Sequence, residues 1–427
     1  MPTTGPRTTT PSIAIIGAGM SGVLLGIRLR EAGLESFTIY EKGEEIGGTW
    51  RDNTYPGLAC DIPSRFYAYS FAPNPDWTRL YSPGNEIQDY LLQITDRYGM
   101  RDHIRFGTEI ADVRFDDDAE RWHVRTVAGD EQWADVVICA TGLLHHPRYP
   151  EIDGLESFEG TCFHSARWDH SVPVDGQRIG IIGSGSTGVQ LTSDLAYRAG
   201  RLDLFQRTPQ WVFPAPNPAY SEAVRGAMHR FPGLNRAGYW FWGQFMKYGI
   251  GRAVVEEGPQ RELIDRLCRW NLSRVRDPQL RAKLTPRDEP MCKRLIVSPR
   301  YYDAVQQPAV DVITEHIERV EPAGVRTADG VLHELDLLVL ATGFDAHAYV
   351  KPMELTGPGG RTVDEAWAEG VRAYKTVGLA GFPNLFFMLG PHSPVGNQSL
   401  IRVAEDQADY IVQWVRKIRD GEIVRAA

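Results

Sequence analysis

Two short glycine clusters carry the densest chemical information in this chain. Gly17-Ala18-Gly19-Met20-Ser21-Gly22 and Gly183-Ser184-Gly185-Ser186-Thr187-Gly188 both fit G-x-G-x-x-G. In that spacing the first glycine permits a tight turn. The second lets the backbone approach a pyrophosphate, and the third lets a helix pack close to a strand. The anion would rest on the helix N-terminus, where unpaired N–H groups and the helix dipole favour negative charge. Each cluster is answered by a charged residue 24 positions after its first glycine. In the first that residue is Glu41, whose carboxylate can accept hydrogen bonds from both hydroxyls of a ribose and would repel a 2′-phosphate. In the second it is Arg207, followed by Thr208. A guanidinium grips a 2′-phosphate in two parallel bonds, and a hydroxyl adds another. The first site therefore suits FAD and the second NADPH. A charged hydrogen bond of this kind contributes roughly 1.5–3 kcal/mol. At about 1.4 kcal/mol per decade, that is about a tenfold to hundredfold preference over NADH. The plain alternatives are a glycine turn without a ligand and a solvated arginine at a strand end.

The elements that must position these groups are legible around them. Apolar residues 13–16 read as a buried parallel strand, 21–31 as an amphipathic helix closed by Gly33, and 37–40 as the next strand. The same order recurs as a strand at 178–182, a helix at 187–199 and a strand at 202–205. Two further apolar strands, 136–140 and 337–341, run into the same words, Thr141-Gly142 and Thr342-Gly343. Residues 214–290 read as mostly helical with proline-rich flanks, and 401–419 as a last amphipathic helix. The expected fold is α/β: two Rossmann-like dinucleotide-binding domains with an inserted helical subdomain. The expected division gives the FAD domain 1–145 and 341–427, the NADPH domain 153–212 and 291–340, and the insertion 213–290. Within that insertion, Tyr239-Trp240-Phe241-Trp242 and Phe245 read by default as core, with an apolar tunnel or a membrane-touching face as alternatives.

Composition narrows the function classes. At 427 residues the chain is long enough for two or three domains. Hydrophobic residues at 42% and charged residues at 24% are the mix of a globular protein, and the net charge of −9 argues against nucleic acid as a partner. The opening residues are polar and rich in Thr and Pro, unlike a signal peptide, and no apolar run is long enough to span a bilayer. Five scattered cysteines without a C-x-x-C pair fit free thiols in a reducing cytoplasm and lack the redox pair of a disulfide reductase. The histidines do not cluster at ligand spacing, so no metal is expected.

Phe158-Glu159-Gly160-Thr161-Cys162-Phe163-His164-Ser165-Ala166-Arg167-Trp168-Asp169 fits F-x-G-x-x-x-H-x-x-x-W-[P/D]. Here the chain resembles the type I Baeyer–Villiger monooxygenases, a family of class B flavoprotein monooxygenases. Three further stretches resemble it too: Gly47-Gly48-Thr49-Trp50, then Tyr55-Pro56-Gly57 through Asp61 to Ser70-Phe71, and Gly381-Phe382-Pro383-Asn384-Leu385 to Gly390-Pro391. The likeness runs over nearly the whole chain and is nearest the branch acting on aryl, steroid-like or other bulky ketones.

The resemblance implies roles position by position. Gly17, Gly19, Ser21, Gly22, Glu41, Thr49, Trp50, Asp61 and Tyr67 match positions that contact FAD. Gly183, Ser184, Gly185, Ser186, Thr187, Gly188, Arg207 and Thr208 match positions that contact NADPH. Arg294 matches the arginine that faces the flavin, with Asp61 orienting it and balancing its charge. Read by residue type alone, Arg294 is equally a strand-end cation, and Asp61 a cap after Pro56-Gly57. Leu400 matches a position that touches the flavin ring or substrate. His164 and Trp168 would lie in the linker between cofactor domains and couple their movement. The implied partners are O2 and a small hydrophobic ketone. Hydride would pass from NADPH to FAD, and a flavin C4a-peroxide kept anionic beside Arg294 would attack the carbonyl to give an ester or lactone.

Departures leave rival readings open. Relatives in this branch continue past the final helix with a Trp-rich segment, whereas this sequence stops at Ala427. An open pocket would make an uncoupled NADPH oxidase or a degenerate flavoprotein. Ala59 stands where phenyl-ketone enzymes often carry arginine. Oxidation of sulfur or nitrogen is the nearest alternative chemistry.

Overall fold

The strand Ile13–Ile16 is buried along its whole length, and so are Val136–Cys139 and Leu337–Leu340. Runs without polar alternation suit parallel strands covered on both faces. The computed structural model, which describes residues 10–394 and 398–426, builds two such sheets from them. The Thr- and Pro-rich opening of the chain, expected not to be a signal peptide, falls outside the described residues up to position 9.

The first sheet orders Leu385–Phe387, Val136–Cys139, Ile13–Ile16, Phe37–Tyr40 and Ile104–Arg105, all parallel. The second orders Val310–Ile313, Arg201–Phe205, Arg178–Ile182, Leu337–Leu340 and Thr161–His164, again all parallel. The duplication read from the sequence is thus present in register. Ile16 lies opposite Cys139 and Ile182 opposite Leu340, so each glycine turn leaves its strand beside an Ala-Thr-Gly. The helix Met20–Glu31 follows the first turn and Ser186–Leu195 the second. The second helix ends earlier than position 199, because the amides of Arg198 and Ala199 both turn back onto the Leu195 carbonyl.

Two further sheets, one mixed and one antiparallel, were not read from the sequence. One combines Ile110–Asp116, Arg121–Thr126 and Glu131–Ala134 with Glu354–Thr356, and the other combines Ile317–Glu321, Gly324–Thr327 and Leu332–Glu334. Between positions 222 and 283 the chain is mostly helical, as expected. Glu222–Arg230 is capped by Ser221 and Pro278–Lys283 by Asp277, while Pro232–Phe245 and Pro259–Ser273 start on proline. The aromatic cluster here divides. Tyr239 and Trp242 pack on the first core, but Trp240, Phe241 and Phe245 are 65%, 56% and 45% exposed, so the core reading fails for those three. They sit on the helix faces turned away from the packed side. Among the described residues, no helix is long and apolar enough to cross a membrane, and no group of three or more His, Cys, Asp or Glu could hold a metal ion.

The last helix, Leu400–Arg419, buries Ile401, Ala404, Ala408, Ile411, Val412 and Val415 at helical spacing and packs on Met20–Glu31. Packing between helix and strand sets a strict demand on two glycines. A Cβ on Gly22 would lie 1.9 Å from the Gly17 carbonyl oxygen, and one on Gly188 would lie 2.0 Å from that of Gly183. Both neighbours are backbone and cannot give way locally. Gly22→Ala and Gly188→Ala should each lower stability by about 1–3 kcal/mol through overpacking. Chemical denaturation against the parent protein checks this, and an unchanged midpoint would refute the packing argument.

Candidate cofactor and active site

The middle glycines behave differently from their neighbours. A Cβ on Gly19 would come no closer than 3.8 Å to any atom, and one on Gly185 would meet nothing within 4 Å. Internal packing therefore does not require glycine at either place, whereas close approach of a ligand does. Gly19 and Gly185 each begin a helix, and among the described residues neither helix has a side-chain cap. The first N–H groups of a helix have no intrahelical partner and point out of its N-terminal end. The two cradles fit a pyrophosphate by shape and by polarity.

The first cradle is bounded by a second glycine pair. Gly47 and Gly48 have positive φ of 124° and 53°, and a Cβ on Gly48 would meet the Gly19 Cα at 3.3 Å. Glu41 is buried beside the turn. Its Oε2 accepts from the Ala18 amide at 2.8 Å, and its Oε1 accepts from the Gly43 amide and from Arg51 Nη1, each at 2.8 Å. The carboxylate thus braces the turn. Arg51 escaped the sequence reading: it follows Thr49-Trp50 directly, but nothing in its spacing marks it as the partner of Glu41. Ser21 is buried in the first turn of the helix.

At the second cradle, the Ser184 hydroxyl donates to the Thr208 carbonyl oxygen at 2.9 Å. This bond holds the segment carrying Arg207 against the glycine turn. Arg207 and Thr208 are exposed, and among the described residues the Arg207 side chain makes no hydrogen bond or ion pair. Thr187 lies 3.3 Å from the Tyr55 hydroxyl, a contact reaching across from the first unit.

Between the cradles, Arg294 and Asp61 form an ion pair. Arg294 Nη2 lies 2.6 Å from Asp61 Oδ2 and 2.7 Å from Oδ1, and Nε donates to Oδ2 at 3.1 Å. Burial acts to weaken the guanidinium's hold on its proton, but the Asp61 carboxylate outweighs this and the net shift is upward. Arg294 is therefore cationic at every working pH. Nearby, Trp50 Nε1 donates to the Tyr67 hydroxyl at 3.2 Å, and the two rings meet edge to face at 5.7 Å. Burial pushes the Tyr67 phenol well up, and it senses Cys60, Asp61 and Arg294 at close range. Thr49 opens the short helix that carries Trp50. Leu400 starts the last helix and packs half-buried on the same apolar cluster as Trp50, Cys60 and Tyr67. The structure thus gathers Trp50, Tyr67, Asp61 and Arg294 from three separate stretches of chain. His392 is exposed, at φ 65°.

Comparison with known proteins agrees with this geometry. Residues 10–220 match the family described as flavin-binding monooxygenase-like. An uncharacterised monooxygenase of Mycobacterium tuberculosis is 54% identical over 96% of this chain and 83% of its own. A Baeyer–Villiger monooxygenase of Streptomyces coelicolor is 38% identical over 95% of this chain and 78% of its own. The crystal structure of cyclohexanone monooxygenase from Rhodococcus bound to NADP+ superposes with a TM-score of 0.86 at 30% identity, covering 99% of this chain and 86% of that one. The chain belongs to the Baeyer–Villiger monooxygenases.

In this Baeyer–Villiger monooxygenase the family fingerprint is not a free linker. Thr161–His164 forms the edge strand of the second sheet, paired with Leu337–Leu340. The His164 Nδ1 accepts from the Ala166 amide at 3.1 Å, so Nε2 carries the proton and donates to the Gly343 carbonyl at 3.1 Å. Burial holds the His164 pKa below its ordinary value and keeps the ring neutral. Trp168 meets Phe163 edge to face at 5.0 Å. The motif thereby ties the edge strand to the chain leaving the second Ala-Thr-Gly.

The open cradle and the unpaired arginine lead to separable outcomes. Gly185→Ala keeps its backbone conformation, at φ −74°, and should leave stability unchanged while weakening NADPH binding. Arg207→Ala should raise the KM for NADPH about tenfold to hundredfold and leave that for NADH nearly unchanged. Steady-state kinetics with both nucleotides checks this, and equal losses for the two would remove Arg207 from 2′-phosphate recognition.

Proposed function

We propose that this enzyme inserts one oxygen atom of O2 next to the carbonyl of a hydrophobic ketone and gives an ester or lactone. NADPH supplies two electrons, and the second oxygen atom leaves as water. The same reading assigns 1–145 and 341–427 to FAD, 153–212 and 291–340 to NADPH, and 213–290 to the helical insertion. Five free cysteines, three of them buried, support a reducing, cytoplasmic setting.

The observation that carries the proposal is the Asp61–Arg294 pair at the meeting of the two units. When bound and reduced, FAD supplies the activation of O2. The residues do the rest. Gly19, the turn braced by Glu41, and the Trp50–Tyr67 pair hold the flavin nucleotide. Gly185, Arg207 and Thr208 hold NADPH. Attack on a carbonyl carbon develops negative charge on oxygen, and a preorganised cation stabilises it without reorganisation. Asp61 engages Nε and Nη2 together, which fixes the plane of the guanidinium. A lone flexible cation would have to be ordered during the reaction. Heteroatom oxidation needs an electrophilic oxygen and gains nothing from this cation, so the pair favours ketones.

Arg294→Met tests this directly. The variant should retain FAD and still be reduced by NADPH. Its ester formation should fall about 10²- to 10³-fold, the scale for losing one oxyanion-stabilising group. Consumed NADPH should then appear as hydrogen peroxide. Gas chromatography of products beside a peroxide assay reads both. Ester formed at the parent rate would sink the ketone reading, and sulfoxide as the main product of the parent would replace it with heteroatom oxidation.

A further inference from the structure

Gln190 lies one turn into the helix Ser186–Leu195, beyond the glycine motif, and nothing in the fold or the cofactor cradle demands a glutamine there. Its side chain nevertheless leaves its own unit. Nε2 donates to the Ala59 carbonyl at 2.8 Å, and Oε1 accepts from the Tyr55 hydroxyl at 2.9 Å. Both partners belong to the loop that ends in Asp61. The loop also presses on the helix backbone: Gly57 has φ 79°, and a Cβ there would lie 2.7 Å from the Gln190 carbonyl oxygen. On its other side, the Cys60 amide donates to Ser82 at 3.0 Å. The segment 55–61 is thus pinned from both sides, and the Gln190 side chain both donates to it and accepts from it.

The other half of the ion pair is tied to the same unit. Arg294 precedes the strand Ile296–Val297, which pairs with Val212–Phe213, and the Ile296 amide donates to Trp211 at 3.2 Å. Val212–Phe213 continues the segment that carries Arg207 and Thr208. A closed circuit results. It runs from the second glycine helix through Gln190 to Ala59 and Asp61, across to Arg294, and back through Ile296 to the Arg207 segment.

We propose that Gln190 is a positioning residue. By holding Ala59 and Tyr55 it sets the place of Asp61, and through Asp61 the pose of Arg294, relative to the nucleotide held at the second glycine turn. Gln190 itself touches no reacting atom. The inference rests on the reading of Arg294 given above, but its first consequence is structural. Loss of the bridge should loosen segment 55–61 while the helix and both sheets stay intact.

The test uses the holoenzyme with Gln190→Met, which keeps length and removes both bonds, and Gln190→Glu, which keeps the bond from Tyr55 and sets an acceptor against the Ala59 carbonyl. Hydrogen–deuterium exchange should quicken about tenfold in peptides spanning 55–61. Exchange in 186–195 should be unchanged. Ester turnover should fall about tenfold to hundredfold, as for a misplaced catalytic group, with the lost NADPH recovered as peroxide. In the Arg294→Met background, Gln190→Met should add less than about twofold, because the two act on one step. Tyr55→Phe, which spares the bond to Ala59, should show the smaller defect. Unchanged exchange at 55–61, or a Gln190→Met defect that persists in full without Arg294, would overturn the proposal. If the parent enzyme forms no ester from any ketone, the functional reading above fails, and the exchange data still decide whether Gln190 holds the loop. Should Gln190→Met not fold, Gln190→Glu carries the same comparison.

Discussion

Two backbone contacts set the limits within which everything else is arranged. A Cβ on Gly17 would lie 2.6 Å from the Ala140 carbonyl oxygen, and one on Gly183 would lie 2.4 Å from that of Ala341. Each contact joins a glycine turn to the strand beside it, at φ 107° and 114°, where a side chain is strained anyway. Because the turn sits this deep, the following helix starts directly over the sheet with its first N–H groups uncapped. The anion cradle is a consequence of that depth. The same geometry built twice, in two five-stranded parallel sheets, is what gives one chain two nucleotide sites.

Two cradles alone would make a protein that binds two nucleotides. Chemistry between them needs groups that belong to neither sheet. The structure supplies them from connections: Trp50 from the stretch after Gly47-Gly48, Asp61 and Tyr67 from the long passage before position 84, Arg294 from the return out of the helical region. These segments lie where loops over the strand ends converge, the usual place for function in open α/β folds. Their order comes from a few polar links. Glu41 braces Ala18 and Arg51, Ser184 braces Thr208, and Asp61 engages Arg294. Each link joins a group of fixed charge or a hydroxyl to backbone or to an opposite charge. Partial burial makes such bonds stronger than in water.

How much of this could be read beforehand depends on the range of the signal. The two glycine motifs, their strands and the opposite charges at Glu41 and Arg207 are local, and the periodicity rules recover them. The last helix and the helical region are local too. The mixed and antiparallel sheets were not recovered: Arg121–Thr126 alternates buried and less buried residues, but its partner Ile110–Asp116 breaks that alternation and Glu354–Thr356 joins from far along the chain. The exposure of Trp240, Phe241 and Phe245 was not legible either, because an aromatic run marks a helix as apolar without saying which side is covered. The nearness of Asp61 to Arg294, 233 positions away, came from resemblance alone. Arg51 and Gln190 had no signal, because their partners are a side chain and a carbonyl that only the folded chain brings near.

The alanine at position 59 shows why such links escape a reading by residue type. By resemblance, Ala59 stands where phenyl-ketone enzymes often carry arginine. In the fold, the group that matters at this position is the carbonyl oxygen, which Gln190 holds at 2.8 Å. Any residue supplies that oxygen, so the side chain can change while the link to the second unit persists. The bidentate Asp61–Arg294 pair joins the loops of the two units by opposite charges. The place of this loop is therefore held by its backbone, while the side chain at position 59 is free to vary.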